Sequence, residues 1–323
     1  MLARTKIAIQ ITVTSALFIK SSLPFRGVTV DYSPYNPPVR QLLSEKTPLL
    51  PSGAETAGIT AKFVGREKIT PTISRITFSL DKGASDKILP WKAGQAVTLD
   101  FAPELDMGWE HMNDEAPESL NDDYIRTFTI SNDPPEAGEG GVESGTKIQI
   151  TMRKHGPATS LLWIANPRAD LTIPVLGFGG EDKALLPRHK THVKAVFIAG
   201  GVGITPLLAQ ANGVLSADNS LRVLWSLRGE DLPLAADTFA TIPGLASRTR
   251  IFVTGSEVPG QSKIQEQLRA TGAQISNGRL LQEDVSVEKG PGRKFFVCAG
   301  DKLMKLVLGW LDGDDVVFES FSY

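Results

Sequence analysis

The spacing of apolar residues changes near residue 190, and this change constrains the fold more than any other feature of the chain. Upstream of it, segments 73–78, 96–99, 126–130 and 147–152 alternate apolar and polar side chains, with Gly-, Pro- and Asp-rich turns between them. A period of two is typical of half-buried strands in antiparallel sheets. The alternation predicts an antiparallel β-barrel over residues 59–188.

Downstream of residue 190, short apolar runs alternate with helix-like stretches. The runs are 193–199, 221–225, 250–253, 294–298 and 316–318, and the helix-like stretches are 206–214, 263–270 and 302–311. Strands that lack polar positions are buried on both faces, as in parallel sheets that helices cover on each side. Residues 189–323 are therefore predicted to form a parallel α/β domain.

Residues 1–58 fit neither pattern. The first 20 are basic, contain several Ser and Thr, and precede the first acid, Asp31, as organelle-targeting segments do. Positions 7–14 alternate Ile or Val with Ala, Gln or Thr, which favours a strand. The Pro-rich stretch 24–58 indicates a linker or a surface strap. A presequence, a strap and the end of a further domain all stay open.

Composition narrows the chemistry that the chain can perform. With 22% charged residues and a net charge of −2, the chain has no overall attraction to nucleic acid, which we do not expect as a partner. One cysteine, Cys298, and four scattered histidines exclude a cysteine-ligated iron–sulfur cluster and give no persuasive metal site. Redox chemistry would therefore need an organic cofactor. We expect no transmembrane segment and a cytoplasmic location, with a mitochondrial one as the alternative.

The sharpest local signal follows the first apolar run of the second half. Gly200, Gly201 and Gly203 come directly after this run, and Thr205 and Pro206 predict a helix with Thr as its N-cap. Glycine lets backbone N–H groups approach a pyrophosphate, and a helix N-terminus adds partial positive charge. Taken alone, such a turn is as often structural as it is ligand-binding.

A second signal lies in the strand-like segment 126–131. On a strand, Arg126 and Phe128 share one face, and Thr129 and Ser131 share the other. Arg-x-Phe-Thr-x-Ser, followed by Gly-Gly-x-Gly-Ile-Thr-Pro after a buried strand, resembles the ferredoxin–NADP reductase superfamily over residues 59–323. The resemblance implies a six-stranded Greek-key barrel that binds FAD, followed by a Rossmann-like domain that binds NADPH or NADH.

Carried over by position, the resemblance gives roles to the residues of this strand. Arg126 would pair with a flavin phosphate, because its guanidinium fork suits phosphate geometry. Phe128 stands where the family usually has Tyr and would pack against the flavin. Thr129 replaces the usual Ser and would hydrogen-bond near flavin N5, and Ser131 completes the cofactor-binding motif.

The resemblance also assigns two segments that follow. Residues 154–162 look like the short helix that caps the flavin pyrophosphate, with donors from the backbone at Gly156 and from the hydroxyl of Thr159 or Ser160. Residues 176–180 would form the turn that closes the barrel.

The C-terminal motifs supply the expected catalytic groups. The segment 298–304 carries one residue more than the family's Cys-Gly-Pro-x-x-Met turn, so either Cys298 or Ala299 would face the nicotinamide. The tail resembles the family's acidic-aromatic ending, with Glu319 as its acid. Phe321, or alternatively Tyr323, would stack on the flavin and yield to nicotinamide.

The nucleotide preference depends on the end of the second apolar run. Ser226 and Arg228 follow that run, where the family reads the 2′ position of the nucleotide. Arg228 could bind a 2′-phosphate and favours NADPH, whereas Glu230 and Asp231 directly after it would repel one. NADH therefore stays open.

The predicted function is an FAD-dependent NAD(P)H oxidoreductase that passes hydride to flavin and electrons to an unidentified protein, quinone or ferric complex. An acidic insert, residues 103–124, contains eight acids and no Lys or Arg, and it is either a solvated loop or a docking surface for a basic acceptor. Two alternatives stay open: a reductase module of a larger redox protein, and a non-catalytic flavin-binding regulatory subunit.

Overall fold

The computed structural model describes residues 58–82, 91–105, 124–135, 144–179, 194–216 and 220–320. The expectations for residues 1–57, for 106–123 of the acidic insert, and for Phe321 and Tyr323 lie outside these ranges. Within them, no helix is both long and apolar enough to cross a membrane.

Six strands form an antiparallel sheet in the first half of the chain. A β-bridge between Ile130 and Ile150 joins the end of β4 to β5, so the sheet closes on itself as a barrel. The strand order is β4-β3-β6-β1-β2-β5, which confirms the predicted antiparallel barrel. The strands are β1 (Thr60–Lys68), β2 (Ile73–Asp81), β3 (Ala96–Asp100), β4 (Ile125–Thr129), β5 (Lys147–Arg153) and β6 (Thr172–Gly179), with helices α1 (Ala102–Leu105) and α2 (Gly156–Ile164) between them.

Alternate side chains of the barrel strands fill its interior. Phe63 on β1 meets Phe78 on β2 edge to face, with ring centroids 6.2 Å apart. Burial of a Phe side chain of this kind contributes roughly 2 kcal/mol. Ile76 and Phe78 point inward on β2, so the intervening positions of that strand, including Arg75, point out of the barrel.

Six strands of the second half form a parallel sheet with the order β10-β9-β8-β7-β11-β12. The chain moves outward from β7 in one direction and then returns to its other side at β11. The switch point between β7 and β11 leaves a crevice beyond the carboxyl ends of these strands, where ligands of such sheets bind. The strands are β7 (Lys194–Gly200), β8 (Ser220–Arg228), β9 (Thr249–Thr254), β10 (Gln274–Asn277), β11 (Arg293–Ala299) and β12 (Asp315–Ser320).

Helices cover both faces of this sheet and bury two separate apolar clusters against it. The predicted parallel α/β fold is therefore confirmed, and residues 194–320 are called the α/β module below. Its helices are α3 (Thr205–Leu208), α4 (Ala211–Ser216), α5 (Leu232–Thr241), α6 (Gln261–Ala270), α7 (Gln282–Ser286) and α8 (Asp301–Trp310).

Two local predictions are wrong. The helix expected over 206–214 is interrupted, because the Gln210 side chain donates to the backbone oxygen of Pro206 at 2.7 Å and the helical ladder breaks there. The turn expected at 176–180 is instead the end of β6, at least as far as Gly179. Pairing with β3, together with the stacking of Phe178 on Trp91 at 5.4 Å, outweighs the turn preference of the two glycines.

Candidate functional site

The glycine turn begins where β7 ends at the switch point of the sheet. A Cβ atom on Gly200 would lie 3.0 Å from the Ala299 Cβ and 3.2 Å from the Leu303 Cδ2, so no larger residue fits without movement. Gly201 has a φ of +56°, in the left-handed region that favours glycine. Gly201 is therefore favoured by its backbone conformation, and Gly200 by the close packing of Ala299 and Leu303.

A 3₁₀ turn, Gly201–Ile204, leads from the strand into α3. Thr205 is consequently the first residue of α3 and not its N-cap, which corrects the sequence prediction. The helical path starts five residues earlier than expected, at Gly201 instead of Pro206, because the glycine turn is itself helical. Pro206 lies in the first turn of α3, as predicted.

Trp225 on β8 is hydrogen-bonded to this turn. Its side chain is fully buried, and its indole Nε1–H donates a 2.9 Å hydrogen bond to the carbonyl oxygen of Gly201. With that oxygen anchored in the core, the orientation of the turn is fixed. This role could not be predicted from the sequence, because a Trp in an apolar run gives no sign of its partner.

Arg153, the last residue of β5, reaches from the barrel to the same turn. Its Nη2 lies 3.9 Å from where a Cβ on Gly201 would be, and it also binds the Asp231 Oδ2 at 2.5 Å. Its Nη1 donates to the Thr72 Oγ1 at 2.7 Å. A cationic group of the barrel thus lies beside the glycine turn of the α/β module, and sequence analysis did not single it out.

The predicted pyrophosphate-capping segment forms helix α2, directly after Arg153. Gly156 has a φ of +71° and starts the helix, with a proline in its first turn. The Thr159 hydroxyl accepts from the His155 backbone N–H at 2.6 Å and donates to the His155 carbonyl, so it closes this turn. Ser160 is half-buried. Of the two predicted hydroxyl donors, Ser160 is the one without this structural role.

Strand β4 carries the Arg-x-Phe-Thr-x-Ser motif along the edge of the barrel. Arg126 and Thr129 are half-buried, and the Phe128 ring packs edge to face on Phe101 at 6.3 Å. The Ser131 hydroxyl is buried and donates to the Gln149 carbonyl at 3.1 Å, so it serves the join between β4 and β5. Just beyond, Asp133 accepts from Asn212 of α4 at 3.3 Å, which brings this end of the motif to the α/β module.

The parallel register of β11 and β12 places Cys298 opposite Glu319. Both side chains are buried, and the thiol donates to the Glu319 Oε2 at 3.8 Å. Pro206 of α3 lines a small cavity with these two side chains. Ala299 packs into the apolar cluster on the opposite face of the sheet. Of the two residues left open by the sequence, Cys298 is the one beside the predicted acid.

A cavity of about 500 Å³ lies at the carboxyl ends of β9 and β10. Sequence analysis placed the nucleotide-reading residues one strand away, at the end of β8, where Ser226 is half-buried. There the Arg228 guanidinium is exposed and lies 3.4 Å from Glu230. The polar lining of the cavity is Thr254, Glu257, Gln261, Ser262, Gln265, Asn277 and Arg279. The sequence feature that could have indicated this cavity is the pair Thr254 and Gly255, which directly follows the apolar run of β9.

No protein-family model and no curated protein matches the sequence. Among solved structures, the FAD/NAD-binding domain of nitric oxide dioxygenase from Vibrio cholerae O1 biovar El Tor aligns with a TM-score of 0.54 at 15% identity, over 82% of this chain and 98% of that one. The Amycolatopsis cytochrome P450 reductase GcoB aligns with a TM-score of 0.54 at 18% identity, over 82% of this chain and 70% of that one.

A type IV self-sufficient cytochrome P450 monooxygenase aligns with a TM-score of 0.56 at 20% identity, over 88% of this chain. The present chain spans only 31% of that longer protein. Together these likenesses define the class of fold: an antiparallel barrel joined to a parallel α/β module, as in the FAD/NAD-binding domain of the Vibrio cholerae protein and in the Amycolatopsis P450 reductase. The fold is thus the one that the predicted superfamily resemblance implies.

Proposed function

We propose that the chain is a flavin-dependent NAD(P)H oxidoreductase. The observation that carries the proposal is the place of Arg153. It ends β5 three residues before the start of α2, and its guanidinium lies beside Gly201. Of the two helix-initiating turns, one from each half of the chain, one follows Arg153 directly in the sequence and the other lies beside its guanidinium. Two backbone turns of this kind suit two pyrophosphate groups.

The barrel offers the donors that FAD needs. The first turn of α2 supplies backbone N–H groups and a helix N-terminus for the pyrophosphate, with Ser160 as a further donor. Arg126 on β4 would bind a flavin phosphate, and Phe128 and Thr129 would contact the flavin ring. These roles are proposals that follow from the order of residues along β4 and from its position at the barrel edge.

The α/β module offers a matching site for the nicotinamide nucleotide. The turn at Gly200, Gly201 and Gly203 would take its pyrophosphate, and the cavity beyond β9 and β10 its adenosine end. The described lining of that cavity contains one arginine, Arg279, and one acid, Glu257, and Arg228 at the end of β8 lies 3.4 Å from Glu230. An acid that faces the adenosine ribose accepts a hydrogen bond from its 2′-hydroxyl and repels a 2′-phosphate. We therefore propose NADH as the preferred donor.

The two cofactors, when bound, supply the hydride transfer, and the protein supplies position and exclusion of water. Cys298 and Glu319 would line the site with polar groups near α3, and the thiol hydrogen is directed at the Glu319 carboxylate. Thr129 would hold the flavin from the barrel side. Phe321 or Tyr323 would cover the flavin until nicotinamide displaces it. Electrons then pass to an acceptor, which we propose to be a redox protein, a quinone or a ferric complex.

One comparison supports a second candidate, a reductase module that serves a larger redox assembly. The self-sufficient P450 monooxygenase contains a region of this fold within a much longer chain, of which the present chain covers 31%. In that case the acceptor is a haem or iron–sulfur domain on the same or another polypeptide. Cytochrome reduction by the purified chain, with and without the rest of its natural polypeptide, separates the two candidates.

The test of the main proposal is an anaerobic titration. The purified protein is loaded with FAD, freed from excess flavin, and mixed with NADH while the flavin absorbance is followed. Rapid bleaching is the expected result. A bound flavin that keeps its colour would indicate the regulatory alternative, and a chain that retains no flavin at all would contradict both.

A further inference from the structure

The hairpin between β1 and β2 is the part of the barrel that enters the α/β module. Ile73, the first residue of β2, is fully buried within an apolar cluster whose other buried members belong to the α/β module. Ile69, at the other side of the hairpin, packs against the same cluster. Apolar contacts of this kind hold surfaces together but are not directional, so they leave rotation about the hairpin poorly specified.

Two arginines flank Ile73 on the same outer face of the barrel. Ile73 pairs directly with Arg153 across β2 and β5, and Arg75 follows two residues along β2. Side chains that are opposite or two apart in a sheet share a face. Strands β2 and β5 therefore present one apolar side chain between two guanidinium groups.

Both arginines find aspartates on one helical segment of the α/β module. Arg153 binds Asp231, which precedes α5 and is 1% exposed, and Arg75 binds Asp237 in the middle of α5. Arg75 also contacts Glu67 of β1 at 2.9 Å. The two ion pairs meet the N-cap and the middle of this helical segment, six residues apart, so together they fix its direction on the barrel as well as its distance.

The ion pairs are partly or wholly removed from water. The side chains of Arg75 and Arg153 are 13% and 19% exposed. In such surroundings removal of one partner leaves a buried charge without compensation, whereas the intact pair adds little net stability and mainly selects one geometry. Their expected effect is therefore on orientation more than on the free energy of folding.

We propose that Arg75–Asp237 and Arg153–Asp231 form an interdomain clamp that sets the relative orientation of the two halves for hydride transfer. This inference rests on the proposed function. Hydride transfer requires the reacting atoms in near-attack geometry, and a misplacement of about 1 Å costs on the order of 100-fold in rate. Since Arg153 lies beside the glycine turn, Arg75 and Asp237 are the positioning residues that can be tested without touching the cofactor-binding turns.

The experiment compares Asp237→Asn, Asp237→Arg and the charge-exchanged double variant Arg75→Glu with Asp237→Arg. Single-turnover flavin reduction by NADH is measured anaerobically, alongside the Kd values for FAD and NAD⁺. The single variants are expected to reduce flavin about 10- to 100-fold more slowly with Kd values changed less than threefold, roughly as a pure orientation effect predicts. The double variant should recover most of the rate, because the arginine at position 237 can pair with the carboxylate at position 75. Glu67 can also pair with this arginine.

Two matched controls break ion pairs that stay within one half of the molecule. Arg250→Gln removes the Arg250–Asp284 pair of the α/β module, and Lys62→Gln removes the Lys62–Asp170 pair of the barrel. Both should reduce flavin at the wild-type rate. A wild-type rate in Asp237→Arg, or a double variant as slow as the single one, overturns the clamp.

Solution scattering separates this proposal from the proposed function. The radius of gyration of Asp237→Arg should exceed that of the wild type and return toward it in the double variant, whether or not NADH bleaches the flavin. Identical scattering of all variants overturns the clamp on its own. Absence of bleaching in the wild type, with the expected scattering differences, contradicts only the enzymatic activity.

Discussion

Replacing Trp225 with phenylalanine removes the hydrogen bond from its indole Nε1–H to the carbonyl oxygen of Gly201. The Trp225 side chain is fully buried and Gly201 is half-buried, so the carbonyl loses its side-chain anchor on β8. Loss of one such hydrogen bond costs about 0.5–1.5 kcal/mol. The smaller ring leaves a void that costs about 1 kcal/mol more. The free energy of unfolding should therefore fall by about 1.5–2.5 kcal/mol.

The functional effect should be selective, because Gly201 belongs to the proposed nucleotide turn and not to the barrel. We expect the Kd for NADH to rise about 10-fold in Trp225→Phe, which corresponds to roughly the free energy of one hydrogen bond that holds the turn. The Kd for FAD should stay within about twofold. Urea denaturation and fluorescence titrations measure the two quantities. Phe252→Leu is the matched control, since Phe252 is fully buried on β9 but packs in the cluster on the opposite face of the sheet. Equal NADH affinity in Trp225→Phe and the wild type would refute the reasoning.

Three further predictions concern the proposed site. Arg126→Ala should weaken FAD retention by about 10- to 100-fold, the loss of one charge-assisted hydrogen bond, and an unchanged Kd in a flavin titration would remove Arg126 from the site. Glu257→Gln should raise the ratio of kcat/KM for NADPH over NADH by about 10-fold, as steady-state kinetics with both donors would show; Glu266→Gln, on an exposed position of α6, is the control. Neutralising four acids of the insert 103–124 should slow reduction of a basic cytochrome at low ionic strength, and equal rates would assign the insert to a solvated loop.

The period of the apolar residues was sufficient to predict both sheets. Side chains alternate between apolar and polar along β2 and are apolar along β7. This difference depends on which faces of a strand are covered, and it can be recognised in each short segment of sequence. The same local information failed at residues 176–179, because two glycines suggest a turn when the pairing partner of the strand is unknown. It also missed β1, β6 and β10, whose positions depend on their neighbours.

Within the site, the sequence predicted the glycine turn and the segment that begins α2, since each depends on residues adjacent in the chain. It could not decide between Cys298 and Ala299, because an extra residue in the motif leaves two frames open. Only the parallel register with β12 put Cys298 beside Glu319. Register between distant strands is a property of the assembled sheet.

By itself, the sequence determined the two kinds of sheet, their order along the chain and the positions of two backbone turns, one at Gly156 and one at residues 200–203. The tertiary structure alone decided which side chains serve those turns. Arg153 and Asp231 are 78 residues apart, and Trp225 meets Gly201 across 24 residues. Such contacts arise only when distant strands, or the two halves of the chain, pack together. The local sequence around an arginine or a tryptophan does not show which residue it will contact.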